Sequence, residues 1–428
     1  MTQCAIALPQ PRSSVEGSGS ICCRAFSEPW ALSAWRQLRY NWRSQKATRG
    51  GRLMISATRT VIVALGCALL LSACGDGKSG SAASGGGADA GRVLNLYIWS
   101  DYLAPTTLPR FEKQTGIKVN AVYYDTNEAL EAKLLTGSGG YDIVMPTASY
   151  FEKQIKAGMY LPLDKSKLPN LKNMDPGLMA KVAFHDPGNA HGVIYLWGTN
   201  GIGYNEKMVA DLLPDAPLDS WRMVFDPKVA SKLAKCGISV LNSPAEMMRA
   251  VFSYLGKDPN SQKPEDLAEG EAVLMKIRPY IRSINSSEYI EALANGDLCV
   301  AVAYNGDVMQ ARDRAQDANK GIKIKYSIPK EGTILWFDML AIPKDAPHPG
   351  YAHAFINFVM KPDVIGEITN FKGYANANAV AKPLPSVTSD PGIYPTADMM
   401  PKLTVQLADS DDQTRAITRV WEKFKTGP

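Results

Sequence analysis

Between residues 93 and 145, three short β-rich runs alternate with two stretches of helical spacing, a rhythm that few folds accept. Residues 93–99 (VLNLYIW) open the pattern. Residues 106–115 carry Leu108 and Phe111 at helical spacing and close on Gly116, a residue suited to ending a helix. Residues 117–124 are the next β-rich run. The tetrad Asp125, Thr126, Asn127 and Glu128 then reads as a capping box for a helix through Leu130, Leu134 and Leu135 that ends at Gly137. Residues 141–145 form a third strand, stopped by Pro146. Strand–helix repeats of this length predict an α/β lobe on a mostly parallel sheet.

A second block spans about residues 201–323. It holds strands at 237–241 and 298–303 and helices at 245–255 and 264–277. Two more β-rich runs follow at 323–328 and 334–342, and helices return at 350–360, 362–369 and 413–425. At 428 residues the chain is long enough for two such lobes. Between them a cleft is expected, where strand C-termini and helix N-termini converge.

The N-terminal region reads differently. Residues 61–71 (VIVALGCALLL) are an apolar run of 11 residues, preceded by Arg59 and followed by Ser72, Ala73 and Cys74. A membrane span needs about 20 residues, so this run suits the core of a signal peptide. The ending Leu-Ser-Ala-Cys resembles a bacterial lipobox, in which the cysteine is lipidated and becomes the mature N-terminus; Cys74 is the expected lipid site. Met54 is well placed as the initiator, so residues 1–53 are expected to be a mis-assigned, disordered extension and 54–74 the signal peptide. Residues 75–91 are poor in apolar side chains and predict a flexible tether spanning roughly 20–25 Å.

This division also explains the charge. The whole chain carries +5, but residues 1–74 hold nine Lys/Arg against two Asp/Glu, leaving 38 basic and 40 acidic residues beyond them. No basic, aromatic-interleaved stripe remains there to argue for nucleic acid. Of seven cysteines only Cys236 and Cys299 fall in the body. An even pair in an oxidising compartment is expected to form a disulfide, with two buried thiols as the alternative.

The chemistry gathers at strand ends. Trp99, Ser100, Asp101 and Tyr102 follow the first strand; Tyr304, Asn305, Gly306 and Asp307 follow the strand ending at Ala303. Trp336, Phe337 and Asp338 lie inside a strand, and Tyr374 begins a run through Asn378 after a helix. Each group sets a flat ring beside a carboxylate or amide. An organic cation uses that pairing: the ring face attracts an ammonium and lines an alkyl chain, while the carboxylate accepts its hydrogen bonds. One such group alone is more often a turn or a core packing site.

From about residue 94 to 427 the chain resembles the periplasmic putrescine/spermidine-binding proteins of ABC transporters, two-lobed type II ("Venus flytrap") solute-binding proteins. The resemblance runs through YIWSDYLAP, FEKQTGIKV, TNEALEAKLLTGS, PLDKSKLPN, GIGYN, LGKDPNS, IRSINSSEYI, LANGDLCVA, SIPKEG and GYANAN. It implies one lobe from residues 92–198 plus 319–372 and another from 199–318 plus 373–428. It also implies a site of Trp99, Ser100, Asp101, Tyr102, Thr147, Glu246, Tyr304, Asp307, Trp336, Asp338 and Tyr374. In that reading Asp101, Glu246, Asp307 and Asp338 hold ammonium groups directly or through water, and Trp99, Tyr304, Trp336 and Tyr374 wall the methylenes. Ser100, Tyr102 and Thr147 supply neutral hydrogen bonds. Cys236 and Cys299 match the family's disulfide positions. Tyr304 stands where the family commonly has Trp, and Thr147 where it has Ser. Trp336 matches the spermidine-preferring members rather than the putrescine-preferring ones, which tend to carry Phe; the choice of polyamine stays open with a slight lean to spermidine.

The resemblance further implies a monomer that hands its ligand to permease subunits, held to the membrane by its lipid alone and resident in the periplasm. Neither a cofactor nor a metal is expected. The four histidines, His185, His191, His348 and His353, lack metal-ligand spacing, and no phosphate loop, C-x-x-C motif or G-x-S-x-G elbow supports an enzyme. The same fold serving another ligand or a membrane sensor is the remaining alternative.

Overall fold

The computed structural model describes residues 91–137 and 139–427. The expected extension, signal peptide and lipid site, and the tether up to residue 90, lie outside them. Eleven strands make up the described sheet: β1 (Val93–Trp99), β2 (Lys118–Tyr124), β3 (Ile143–Val144), β4 (Gly192–Asn205), β5 (Ile238–Val240), β6 (Ser283–Ile284), β7 (Val300–Tyr304), β8 (Ile324–Ser327), β9 (Thr333–Ala341), β10 (Ala375–Asn376) and β11 (Leu403–Val405). Their order is β2-β1-β3-β9-β4-β7-β5-β6, with β8 and β10 added to β4 and β11 to β9.

The sheet is mixed, which corrects the expectation of a mostly parallel one. Its flanks are parallel, β1 with β2 and β3 on one side and β5 with β6 and β7 on the other. Its centre is antiparallel, because β4 and β9 run side by side in opposite directions. The expected elements of the first block are present, but the cap of helix Asn127–Leu135 sits one residue later than read. Thr126 has the extended backbone of an N-cap and accepts from the Ala129 amide at 3.1 Å. Glu128 therefore falls short of the box position and instead accepts from the Tyr150 hydroxyl at 2.6 Å.

Strand β4 was not legible as one element. It is buried along all 14 residues, pairing with β9 through Gly192–Thr199 and with β7 through Asn200–Tyr204. Gly198 and Gly201 look like breakers in the sequence. In the structure they are points of close approach. A Cβ on Gly198 would lie 2.3 Å from Asn305 Oδ1 and 2.5 Å from the Trp336 ring, and one on Gly201 would lie 2.5 Å from the Ser327 carbonyl oxygen.

Two hydrophobic cores flank that crossover. The first collects buried residues from 94–197 and 328–403, together with Met309; the second collects 202–324 with Ile417, Val420, Trp421 and Phe424. The last four recur at helical spacing on helix Asp411–Thr426 and form its buried stripe. Two segments pack across the lobe bounds expected from the resemblance. Tyr374, Ala375, Ala377, Ile393 and Leu403 belong to the first core, because β10 pairs with β4 beside Trp197. Ile324 belongs to the second, because β8 pairs with Ile202–Asn205 of β4. The chain thus passes between cores three times: within β4, between β8 and β9, and after β11.

Cys236 and Cys299 are joined in a disulfide, with Cα atoms 5.5 Å apart. They precede β5 and β7, which pair at Ile238 and Val300, so the neighbouring strands bring the thiols together.

Candidate functional site

Helix starts place four residues of the site. Thr147 is the N-cap of helix Ala148–Lys156, and Tyr304 is the N-cap of helix Asn305–Asp317, whose first turn holds Asp307. Glu246 lies in the first turn of helix Pro244–Tyr254. The positive end of a helix favours carboxylates there. Asp338 and Trp336 come from β9, and Tyr374 follows the left-handed Gly373 that ends helix Pro362–Lys372.

Three carboxylates are held by hydroxyls. Asp338 accepts from Tyr102 at 2.8 Å and from Thr147 Oγ1 at 2.7 Å. Asp307 accepts from Tyr289 at 2.6 Å and from Tyr374 at 2.7 Å. Glu246 accepts from Tyr304 at 2.6 Å. Four rings link these pairs in a row by edge contacts: Tyr102 against Tyr374 at 5.7 Å, Tyr374 against Trp336 at 5.3 Å, and Trp336 against Tyr304 at 6.1 Å. Tyr102, Trp336 and Tyr374 belong to the first core, while Glu246 and Asp307 stand on helices of the second.

Burial raises all three carboxyl groups above their usual range. It pushes Asp338 up to about 7, against the opposing pull of the Thr147 and Tyr102 hydrogen bonds and with help from the Glu246 charge. Burial raises Asp307 despite its tyrosine bonds and the Lys372 charge. The same cause raises Glu246 despite Tyr304. Among the described residues none of the three sits in an ion pair. Carboxylates enclosed with hydroxyls gain strongly from a bound cation, since a low-dielectric site magnifies the attraction.

The other expected residues are placed differently. Trp99 has other partners, its Nε1 donating to the Met145 carbonyl at 2.9 Å and its ring 4.7 Å from that of Tyr124. Ser100 is exposed. Asp101 has a left-handed backbone, φ 54°, and a mostly exposed side chain that takes a 2.8 Å bond from Lys372 and lies 3.9 Å from Arg314. Its carboxylate is already matched by cations, unlike the other three.

Four contributors escaped the sequence reading. Tyr289 orients Asp307, and Asn127 brackets Thr147, accepting from its amide at 3.1 Å and donating to its hydroxyl at 3.0 Å. Lys372, fully buried, and Arg314 hold Asp101. Tyr289 and Asn127 sit within two family-like stretches, IRSINSSEYI and TNEALEAKLLTGS, which was their available signal. Lys372 and Arg314 lie on helices outside those stretches.

The four histidines stand apart from this network. His185, His191 and His348 pair with Glu152, Asp186 and Asp142, and His353 accepts from the Asp164 amide at 2.9 Å. Among the described residues no group of His, Cys, Asp and Glu is arranged to hold a metal ion, and no helix is long and apolar enough to cross a membrane.

Comparison with known proteins gives the arrangement its family. The family model "Bacterial extracellular solute-binding protein" matches residues 107–396. The chain is 50% identical over 353 residues to the putrescine-binding periplasmic protein SpuD of Pseudomonas aeruginosa, covering 82% of this chain and 96% of that one. It is 48% identical over 341 residues to the putrescine-binding periplasmic protein PotF of Escherichia coli, covering 78% and 92%. Among solved structures, the spermidine/putrescine ABC transporter substrate-binding protein PotD of Streptococcus pneumoniae is 29% identical with a TM-score of 0.66, over 78% of this chain and 98% of that one. The family match takes in Thr147, Glu246, Tyr304, Asp307, Trp336, Asp338 and Tyr374. The chain belongs to the bacterial extracellular solute-binding proteins.

Proposed function

We propose that this protein captures a polyamine, putrescine or spermidine, between its two lobes and delivers it to the permease of an ABC transporter. The observation that carries the reading is the set of three enclosed carboxylates, Glu246, Asp307 and Asp338, paired with hydroxyls and separated by a row of aromatic rings. A flexible polycation satisfies both parts: its ammonium groups replace protons at the acids, and its methylenes lie along the rings. The ligand touches groups from both cores, so its binding favours the closed arrangement by differential affinity. The putrescine-binding names of two relatives near 50% identity favour putrescine, while Trp336 is the feature favouring spermidine.

Delivery implies residence outside the cytoplasm, as for the periplasmic relatives. The lipobox at Cys74 supports a lipid anchor with the tether as spacer, and the protein acts as a monomer that binds without catalysis. Thr147, Ser100 and Tyr102 provide neutral contacts in this reading, Trp99 closes one side of the row, and Asp101 acts near the rim with its cationic partners.

The test is calorimetric titration of the purified protein, freed of ligand by unfolding and refolding, with putrescine, spermidine, cadaverine and arginine. One-to-one binding of a polyamine is expected, weakened at least about thirtyfold in Asp307→Ala, since removing one side of a buried charge contact costs about 2–5 kcal/mol. A folded protein that gives no heat with any polyamine refutes the proposal.

A further inference from the structure

Asn200 lies where strand β4 changes partners from β9 to β7. Its side chain is 1% exposed, yet neither its amide oxygen nor its amide nitrogen has a hydrogen-bond partner. A buried amide left in that condition is costly, and native proteins retain few such groups.

The register shows which way this amide faces. Asn200 pairs with Tyr304 on β7 and Gly198 pairs with Trp336 on β9. Paired residues point to the same face, as do positions two apart along a strand. A Cβ on Gly198 would meet the Trp336 ring, which puts that face on the indole side. Asn200 therefore shares a face with Trp336 and Tyr304, two adjacent rings of the row. Trp336 Nε1 is likewise buried without a partner. The amide thus stands on the face of the sheet that carries two rings of the row, with Tyr304 its cross-strand neighbour.

We infer that Asn200 is a further ligand-binding residue, its amide oxygen accepting an N–H from the interior of the bound chain and so favouring a triamine over a diamine. The inference rests on the polyamine reading. A diamine such as putrescine has nitrogen only at its ends, where the carboxylates serve it. A triamine such as spermidine adds a secondary ammonium among its methylenes, and a neutral oxygen on the floor of the site satisfies it without burying a fourth carboxylate. The neighbouring donors, Asn200 Nδ2 and Trp336 Nε1, suit a water held beside the chain.

The experiment compares putrescine and spermidine binding by calorimetry for the protein expressed from its full sequence and for Asn200→Leu and Asn200→Ala. Circular dichroism and melting curves identify folded variants, and the smaller alanine serves if leucine prevents folding. Loss of one hydrogen bond to a charged group predicts spermidine affinity lower by about tenfold to a hundredfold, with putrescine affinity moved less than about threefold. Asn200→Asp should shift the preference further toward spermidine. Equal losses for both ligands, or no loss for either, overturn the inference while leaving polyamine binding intact. Wild-type protein that binds neither ligand overturns both.

Discussion

Asp338 is the residue whose environment says most about how the site works. Burial holds its carboxyl near pH 7 although two hydroxyls donate to it. A carboxyl raised on folding binds its proton in the native state at pH values where the unfolded chain has lost it. Its contribution to stability therefore declines as pH rises from about 4 to about 7 and is level above that. Asp338→Asn removes this penalty: the ligand-free variant should gain stability over wild type at pH 8, by no more than roughly 4 kcal/mol, and little or none at pH 4. Urea unfolding at both pH values measures the difference, and an equal gain at both would refute the assignment. The same proton must leave when a cation arrives. Polyamine affinity should fall below pH 7, and titrations in buffers of different ionisation enthalpy should show proton release.

At the scale of elements, the sequence displayed what repeats and hid what happens once. Strand–helix alternation and the aromatic–carboxylate groups follow local rules and were legible. Strand β4 was not, because its glycines answer to neighbours distant in sequence, Asn305, Trp336, Tyr326 and Ser327. The antiparallel centre was hidden for the same reason: pairing of β4 with β9 depends on residues more than a hundred positions apart. Asp101 read like the other three acids, and only the fold supplies the Lys372 and Arg314 that set it apart. Gly198→Ala tests the account of β4. The added methyl group collides with Asn305 and the Trp336 ring, so stability should drop by about 1–3 kcal/mol and ligand affinity with it. A variant with wild-type melting and binding would show that the crossover has slack the structure does not show.

For the molecule as a whole, the two cores differ in how they are secured. The Cys236–Cys299 link closes a segment of 63 residues within the second core alone. Replacing both cysteines by serine should cost roughly 2–5 kcal/mol, read as a lower midpoint in guanidinium chloride. Unchanged midpoints would mean that β5 and β7 are fixed by packing alone. The first core has no such link among the described residues, and it is assembled from two stretches separated by some 130 residues, 94–197 and 328–403. That discontinuity has a consequence for synthesis. A growing chain reaches β4 with half of its first core still untranslated, and that half cannot be completed before Leu403 emerges. The second core likewise waits for Phe424. The nascent polypeptide therefore has no finished lobe to commit to until its last few dozen residues are made. Ribosome-held chains ending near residue 380 should remain open to protease throughout residues 92–198, whereas released full-length chains should resist it.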